Sequence, residues 1–126
     1  MSKEAIKKLT LADFIRRKEQ AEAAAKKPQT AELYIKSLGG TITVQEPSTE
    51  RILDARDLDE DGDAYIVYHC CVDPNLKAEE LSDGGVPHEI VKKIFKPGEI
   101  GNIARQLMNM AGFSDDSVTV ADKLKN

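Results

Sequence analysis

The sequence predicts an α+β fold, mostly α: a helical domain with one small β-hairpin over about residues 31–46 and a protruding N-terminal helix. Three observations carry this expectation. Apolar residues recur at helical spacing, most clearly at Ile100, Ile103, Ala104, Leu107, Met108 and Ala111. Two alternating, β-branched runs flank Gly39-Gly40. The chain has 126 residues, 40% apolar and 32% charged, which suits a single core burying roughly two-thirds of the unfolded surface.

The first helix is expected from about Leu11, because Thr10 stands ahead of it and Asp13 three residues on, a capping pattern that also places a carboxylate near the positive end of the helix dipole. Pro28 disfavours helical geometry at Lys27 and ends it. Only Leu11, Phe14 and Ile15 offer bulk, so packing is expected to hold the first turns while the Ala-rich half relies on intrinsic propensity. Residues 1–30 therefore read as a semi-detached arm, residues 31–113 as the compact domain, and residues 114–126 as a polar, frayed tail.

In the hairpin, residues 32–38 and 41–45 are the strands, and the two glycines supply the positive φ values of a tight primed turn. Leu33, Ile35, Ile42 and Val44 form its buried face, and Pro47 ends it. An isolated hairpin is marginal in water, so this one must lie on helices. Ser48 caps a short helix with Ile52, Leu53 and Ala55 facing inward, ending near Arg56. An acidic loop follows over residues 57–63. Period alone does not settle residues 65–72; preceding acidic residues and the closing Asp73-Pro74 favour helix over strand. Loop with one turn at Ala78-Glu79-Glu80-Leu81 leads to Pro87, in the first turn of a helix carrying Ile90, Val91, Ile94 and Phe95. The last helix opens at Glu99 and stops at Gly112, whose left-handed conformation would fold Phe113 back near Met108.

Charge and chemistry narrow the function. The net charge of −4 argues against a nucleic-acid partner bound mainly through phosphates, although residues 1–30 hold eight basic against four acidic side chains and residues 31–90 hold four against fourteen. No apolar run suits a membrane span, and the start Met1-Ser2-Lys3-Glu4 has no secretory pattern, so the chain is expected in the cytoplasm, not secreted. Adjacent Cys70 and Cys71 offer no long-loop disulfide and read as core thiols, with His88 as a surface histidine. Asp57, Asp59 and Asp61 followed by Gly62 reproduce the first half of an EF-hand loop, but Tyr68 stands where the bidentate Glu belongs. They remain a weak calcium candidate. Otherwise no metal, cofactor or catalytic residue is expected: His69, Cys70 and Cys71 lack a second ligand pair, and neither histidine sits in a nucleophile motif. No enzyme is expected. Met108 reads as core, whereas Met110, off the main stripe, suits a partner contact.

Several segments together resemble a known family: Leu9-Thr10-Leu11-Ala12-Asp13-Phe14, then Leu33-Tyr34-Ile35-Lys36-Ser37-Leu38-Gly39-Gly40-Thr41-Ile42-Thr43-Val44, Val72-Asp73-Pro74-Asn75-Leu76, Lys96-Pro97-Gly98-Glu99-Ile100 and Ala111-Gly112-Phe113. In this order, over about residues 9–126, they resemble the XkdN-like tail assembly chaperones of phages and prophages. The resemblance implies a small, mostly α-helical, non-catalytic cytoplasmic protein, encoded between the tail tube and tape measure proteins, that keeps the tape measure protein soluble. It supplies no invariant site residues. Leu11, Phe14, Ile15, Met110 and Phe113 are the expected partner contacts, with the tape measure protein as partner, the major tail tube protein as a second, and self-association allowed. Rival readings are a structural tube or connector subunit and a calcium-responsive module built on residues 57–63. Leu124-Lys125-Asn126 is also compatible with a slippery codon run at which such chaperones are extended by a frameshift.

Overall fold

A computed structural model describes residues 6–121; the start Met1-Ser2-Lys3-Glu4 and the terminal Leu124-Lys125-Asn126 lie outside the described residues. The chain forms two compact units, Gln29–Ser114 and the segments flanking it.

In the flanking unit, helix α1 spans Leu11–Ala25. The Thr10 hydroxyl accepts from the Asp13 N–H at 3.3 Å and the Asp13 carboxylate accepts from the Thr10 N–H at 2.8 Å, so each residue satisfies an end group of the other. Lys26 caps the far end, one residue before the expected stop. The expectation that packing holds the first turns is corrected: α1 has no buried residue, and Leu11, Phe14 and Ile15 are exposed. Its order comes from the capping box and the propensity of its alanines.

Within Gln29–Ser114, strands β1 (Thr30–Ile35), β2 (Gly40–Gln45) and β3 (Cys71–Asp73) form an antiparallel sheet in the order β1-β2-β3. Leu33 pairs with Ile42 and Ala31 with Val44, which sends Ile35, Ile42 and Val44 to one buried face. The hairpin connection is not the two-glycine turn. Lys36–Leu38 is a 3₁₀ turn and Gly39, at φ 67°, is left-handed, while Gly40 already belongs to β2. Had β1 continued, its period of two would have carried the Ser37 hydroxyl onto the buried face; instead it helps hold the Glu99 carboxyl below its ordinary range.

The stretch 65–72 also needs correction at its end. Helix α3 covers Gly62–Cys70, but Cys71 turns extended at φ −80°, ψ 113° and begins β3, which pairs Val44 with Cys71 and Thr43 with Asp73 across a bulge. Pro74 disfavours helix in the residue before it, and the open edge of β2 takes up the backbone groups that the helix releases.

Helix α2 (Thr49–Asp57) is capped by Ser48, whose hydroxyl accepts from the Arg51 N–H at 3.2 Å. Ile52 is buried and Ala55 half-buried, but Leu53, expected inward, is 51% exposed, because it lies about 100° around the helix from Ile52. A 3₁₀ turn, Asp59–Asp61, joins α2 to α3 where the acidic loop was expected. Helix α4 (Glu89–Ile94) begins two residues after Pro87, which sits in the preceding turn rather than the helix, closed by the Glu89 N–H on the Val86 carbonyl. Helix α5 (Pro97–Met110) opens two residues earlier than expected: Lys96 is extended, as a residue before proline prefers, and its N–H donates to the Glu99 carboxylate at 2.8 Å. At its end Gly112 takes φ 90°, the Phe113 N–H reaches the Met108 carbonyl and the Gly112 N–H the Asn109 carbonyl, both at 3.0 Å, completing a Schellman ending.

One apolar cluster unites the sheet with Ile52, with Ala64, Ile66, Val67 and Cys70 of α3, with Val91 and Phe95, and with Ile100, Ile103, Ala104 and Leu107 of α5. Gly62 lets α2 and α3 meet: a Cβ there would overlap the carbonyl oxygen of Ala55, whereas one on Gly98 meets open space. Gly62→Ala is therefore expected to lower stability by about 1–3 kcal/mol in urea unfolding, and Gly98→Ala to raise it by about 0.5 kcal/mol.

Candidate functional site

On α1, Leu11, Phe14 and Ile15 stand at i, i+3 and i+4 and so share one face; Phe14 is 63% exposed. The neighbouring Arg16 lies 3.4 Å from Asp13, and Lys7 lies 3.1 Å from the same carboxylate. The Thr10 N–H, then Lys7, hold the Asp13 carboxyl below its ordinary range.

In Gln29–Ser114 two concavities flank α5. The larger, ≈ 500 Å³, lies between edge strand β1 and α5 and is lined by Leu33, Tyr34 and Ile103 with Glu32, Lys36, Glu99 and Arg105 at its margins. Its charges are mixed. The second, ≈ 220 Å³, lies between α2, α3 and α5 and has an apolar floor of Ile52, Ile66, Ala104 and Met108 with Asp59 and Asp63 at the rim. Arg56, which also lines it, places its guanidinium 5.7 Å from the ring centre of Phe113, a half-exposed side chain. Met110, expected to be free for a partner, is half-buried and packed against the core.

The three candidate calcium ligands fall in two elements: Asp57 ends α2, while Asp59, at φ 50°, opens the 3₁₀ turn that Asp61 closes. Among the described residues the convergent group is instead Asp61, His88 and Glu89, whose ligand atoms lie within 4.8 Å of one another. Lys92 already supplies the cation there, at 2.7 Å from Asp61 and 3.2 Å from Glu89, and its hydrogen bond holds the Asp61 carboxyl below its ordinary range. The expected surface His88 is corrected accordingly: its side chain is only 13% exposed, with Nε2 buried 3.9 Å from Asp61. Glu89 and Lys92, three apart, were open to sequence reading; their partner Asp61, more than twenty positions upstream, carried no local signal.

A second cluster was also missed. The Tyr65 hydroxyl accepts from Arg51 at 3.0 Å and donates to Asp54 at 3.1 Å, tying α3 to α2. The Tyr65 ring lies 4.5 Å from His69, edge to face, and the Tyr68 ring lies 5.1 Å from it. Burial first, then the charges of Arg51 and Lys77, push the His69 pKa down to about 4. Cys70 and Cys71 are buried, as expected for core thiols, and desolvation pushes both up to about 11.

The chain belongs to the phage XkdN-like tail assembly chaperone family, whose model matches residues 41–125. As a tail assembly chaperone it has protein partners in the tail. No curated protein matches the chain, and no solved structure matches it. Among the described residues, no helix is long and apolar enough to cross a membrane.

Two measurements check this electrostatic picture. A histidine whose pKa is lower folded than unfolded takes up its proton first in the unfolded chain, so stability falls as pH drops through about 6.5 toward 4. Between pH 7 and 5 the loss should be roughly 1 kcal/mol, discounted for the ring's partial exposure, and His69→Phe should flatten that slope in thermal melts. A thiol reagent at neutral pH should leave Cys70 and Cys71 unlabelled in the native protein and label both after unfolding.

Proposed function

We propose that this chain binds the tape measure protein of a phage or prophage tail and keeps it soluble in the host cytoplasm until tube subunits enclose it, with no catalytic step. The observation that carries the reading is the unburied stripe of Leu11, Phe14 and Ile15 on a chain of the tail assembly chaperone family. A long helical client with apolar stripes aggregates unless those stripes are covered, and a short helix with a matching apolar face covers them by side-by-side packing. In this reading residues 1–30 are an arm that reaches the client, residues 31–113 the domain that carries it, and residues 114–126 a tail. Phe113, just past the end of α5, and the unburied part of Met110 add apolar contact, and the acid-rich middle of the chain keeps coated client from adhering to itself. The major tail tube protein is a second partner on the same reading.

Co-expression with the tape measure chain tests this. The wild type should raise the client's soluble fraction and be captured with it, and Phe14→Asp and Phe113→Asp should each weaken capture by about tenfold or more, the loss of an exposed aromatic anchor. Undiminished capture by both variants would show that these surfaces do not hold the client.

A further inference from the structure

The geometry points to strand β1 as a docking edge for an extended segment of another protein, one that carries alternating apolar residues and an acidic group. β1 is the outer strand of the sheet and pairs with β2 alone. The Glu46 N–H donates to the Gln29 carbonyl at 2.8 Å, and residues two apart share a bonding direction, so Ala31, Leu33 and Ile35 direct their backbone groups to β2. Thr30, Glu32 and Tyr34 turn theirs outward, and all three residues are exposed.

The two edges of the sheet differ. β3 has three residues, joins β2 across a bulge, and has Val72 bridged to Asn75. Shortness and bulges keep an edge from recruiting strands. β1 has six residues, pairs in unbroken register, and contains no Pro or Lys. An open edge beside a groove is the arrangement of strand addition, in which main-chain hydrogen bonds give affinity and pockets for alternate side chains give specificity.

The groove between β1 and α5 supplies those pockets. Its ≈ 500 Å³ falls within the roughly 300–1,000 Å³ of ligand sites, and Leu33 and Ile103 form its apolar wall. Its charges are unequally engaged. The Glu99 carboxylate already accepts the Lys96 N–H at 2.8 Å, whereas Lys36 on the strand side and Arg105 on the helix side form no ion pair among the described residues. Glu32 lies on the opposite face of the strand from Leu33, bordering the groove without an ion pair to either cation. A segment laid along β1 turns alternate side chains toward α5, where an apolar residue meets the wall and an acidic one meets the unmatched cations. The stripe on α1 takes no part, so this docking is independent of the client reading above.

Panning a displayed library of random octapeptides on the full chain, then titrating one enriched peptide, tests the proposal. Enriched sequences should alternate apolar residues and carry Asp or Glu. Peptide binding should slow hydrogen exchange at the amides of Thr30, Glu32 and Tyr34, which are open in the free chain, with those of Ala31, Leu33 and Ile35 protected throughout. Glu32→Pro removes one outward N–H and leaves the bonds to β2 in place, so it should weaken binding about tenfold with an unchanged thermal melt. Arg105→Glu, at an exposed position of α5, is the second variant should that melt fall; it should also weaken binding about tenfold, and exchanging the peptide's acid for Lys should restore it. Phe14→Asp should leave the affinity unchanged. The proposal is overturned if no sequence enriches, if the peptide protects amides elsewhere, or if neither groove variant moves the affinity. Protection of the Thr30, Glu32 and Tyr34 amides in the free chain also overturns it, since the edge is then already covered.

Discussion

Covering α3 is the constraint on which the rest of Gln29–Ser114 depends. Ala64, Ile66, Val67 and Cys70 are all buried and Tyr65, Tyr68 and His69 are half-buried, so this helix has no solvent face of ordinary width. A helix apolar on nearly every side is stable only when neighbours surround it. Helix α2 meets it at Gly62, where the absence of a side chain permits contact with the Ala55 carbonyl; α5 lays the stripe from Ile100 to Leu107 along it; and α4 contributes Val91. The chain then leaves α3 directly into β3, so the same segment that anchors the helices also completes the sheet.

Polar groups near α3 are bridged in pairs that cross between elements. Tyr65 ties α2 to α3 through Arg51 and Asp54, and Lys92 ties α4 to the acidic turn through Asp61. The first link relieves a tyrosine hydroxyl of leaving water unpaired, and the second places a cation against carboxylates that would otherwise repel one another. His69, in edge contact with two tyrosine rings and with Nδ1 buried and unbonded among the described residues, is kept neutral by its surroundings. It stabilises this arrangement only while uncharged.

Outside the core, apolar surface is distributed in a way that suits a chaperone of the family to which the chain belongs. Leu11, Phe14 and Ile15 are exposed together on α1, in a basic segment, while the groove beside Asp59 and Asp63 is apolar within an acidic unit. Sticky surface bordered by charge favours reversible contact, because charge keeps the wet state soluble and rewards only partners with the opposite pattern.

Local signals in the sequence were enough for the mostly α, partly β fold, for the Thr10-Asp13 and Ser48 caps, for the inward face of Ile35, Ile42 and Val44, and for the Gly112 ending. Each depends on residues within about one helical turn or one strand period of each other. The ordered segments from Leu9 to Phe113 were likewise enough for the family resemblance that the match over residues 41–125 bears out. Only tertiary structure decided that Cys71 would leave helix for strand, since the open edge of β2 lies far away in sequence. The same holds for Asp61 meeting Lys92 and His88, and for the groove beside α3: none exists until segments remote in the chain are brought together, and no residue's own preference encodes a partner more than twenty positions away.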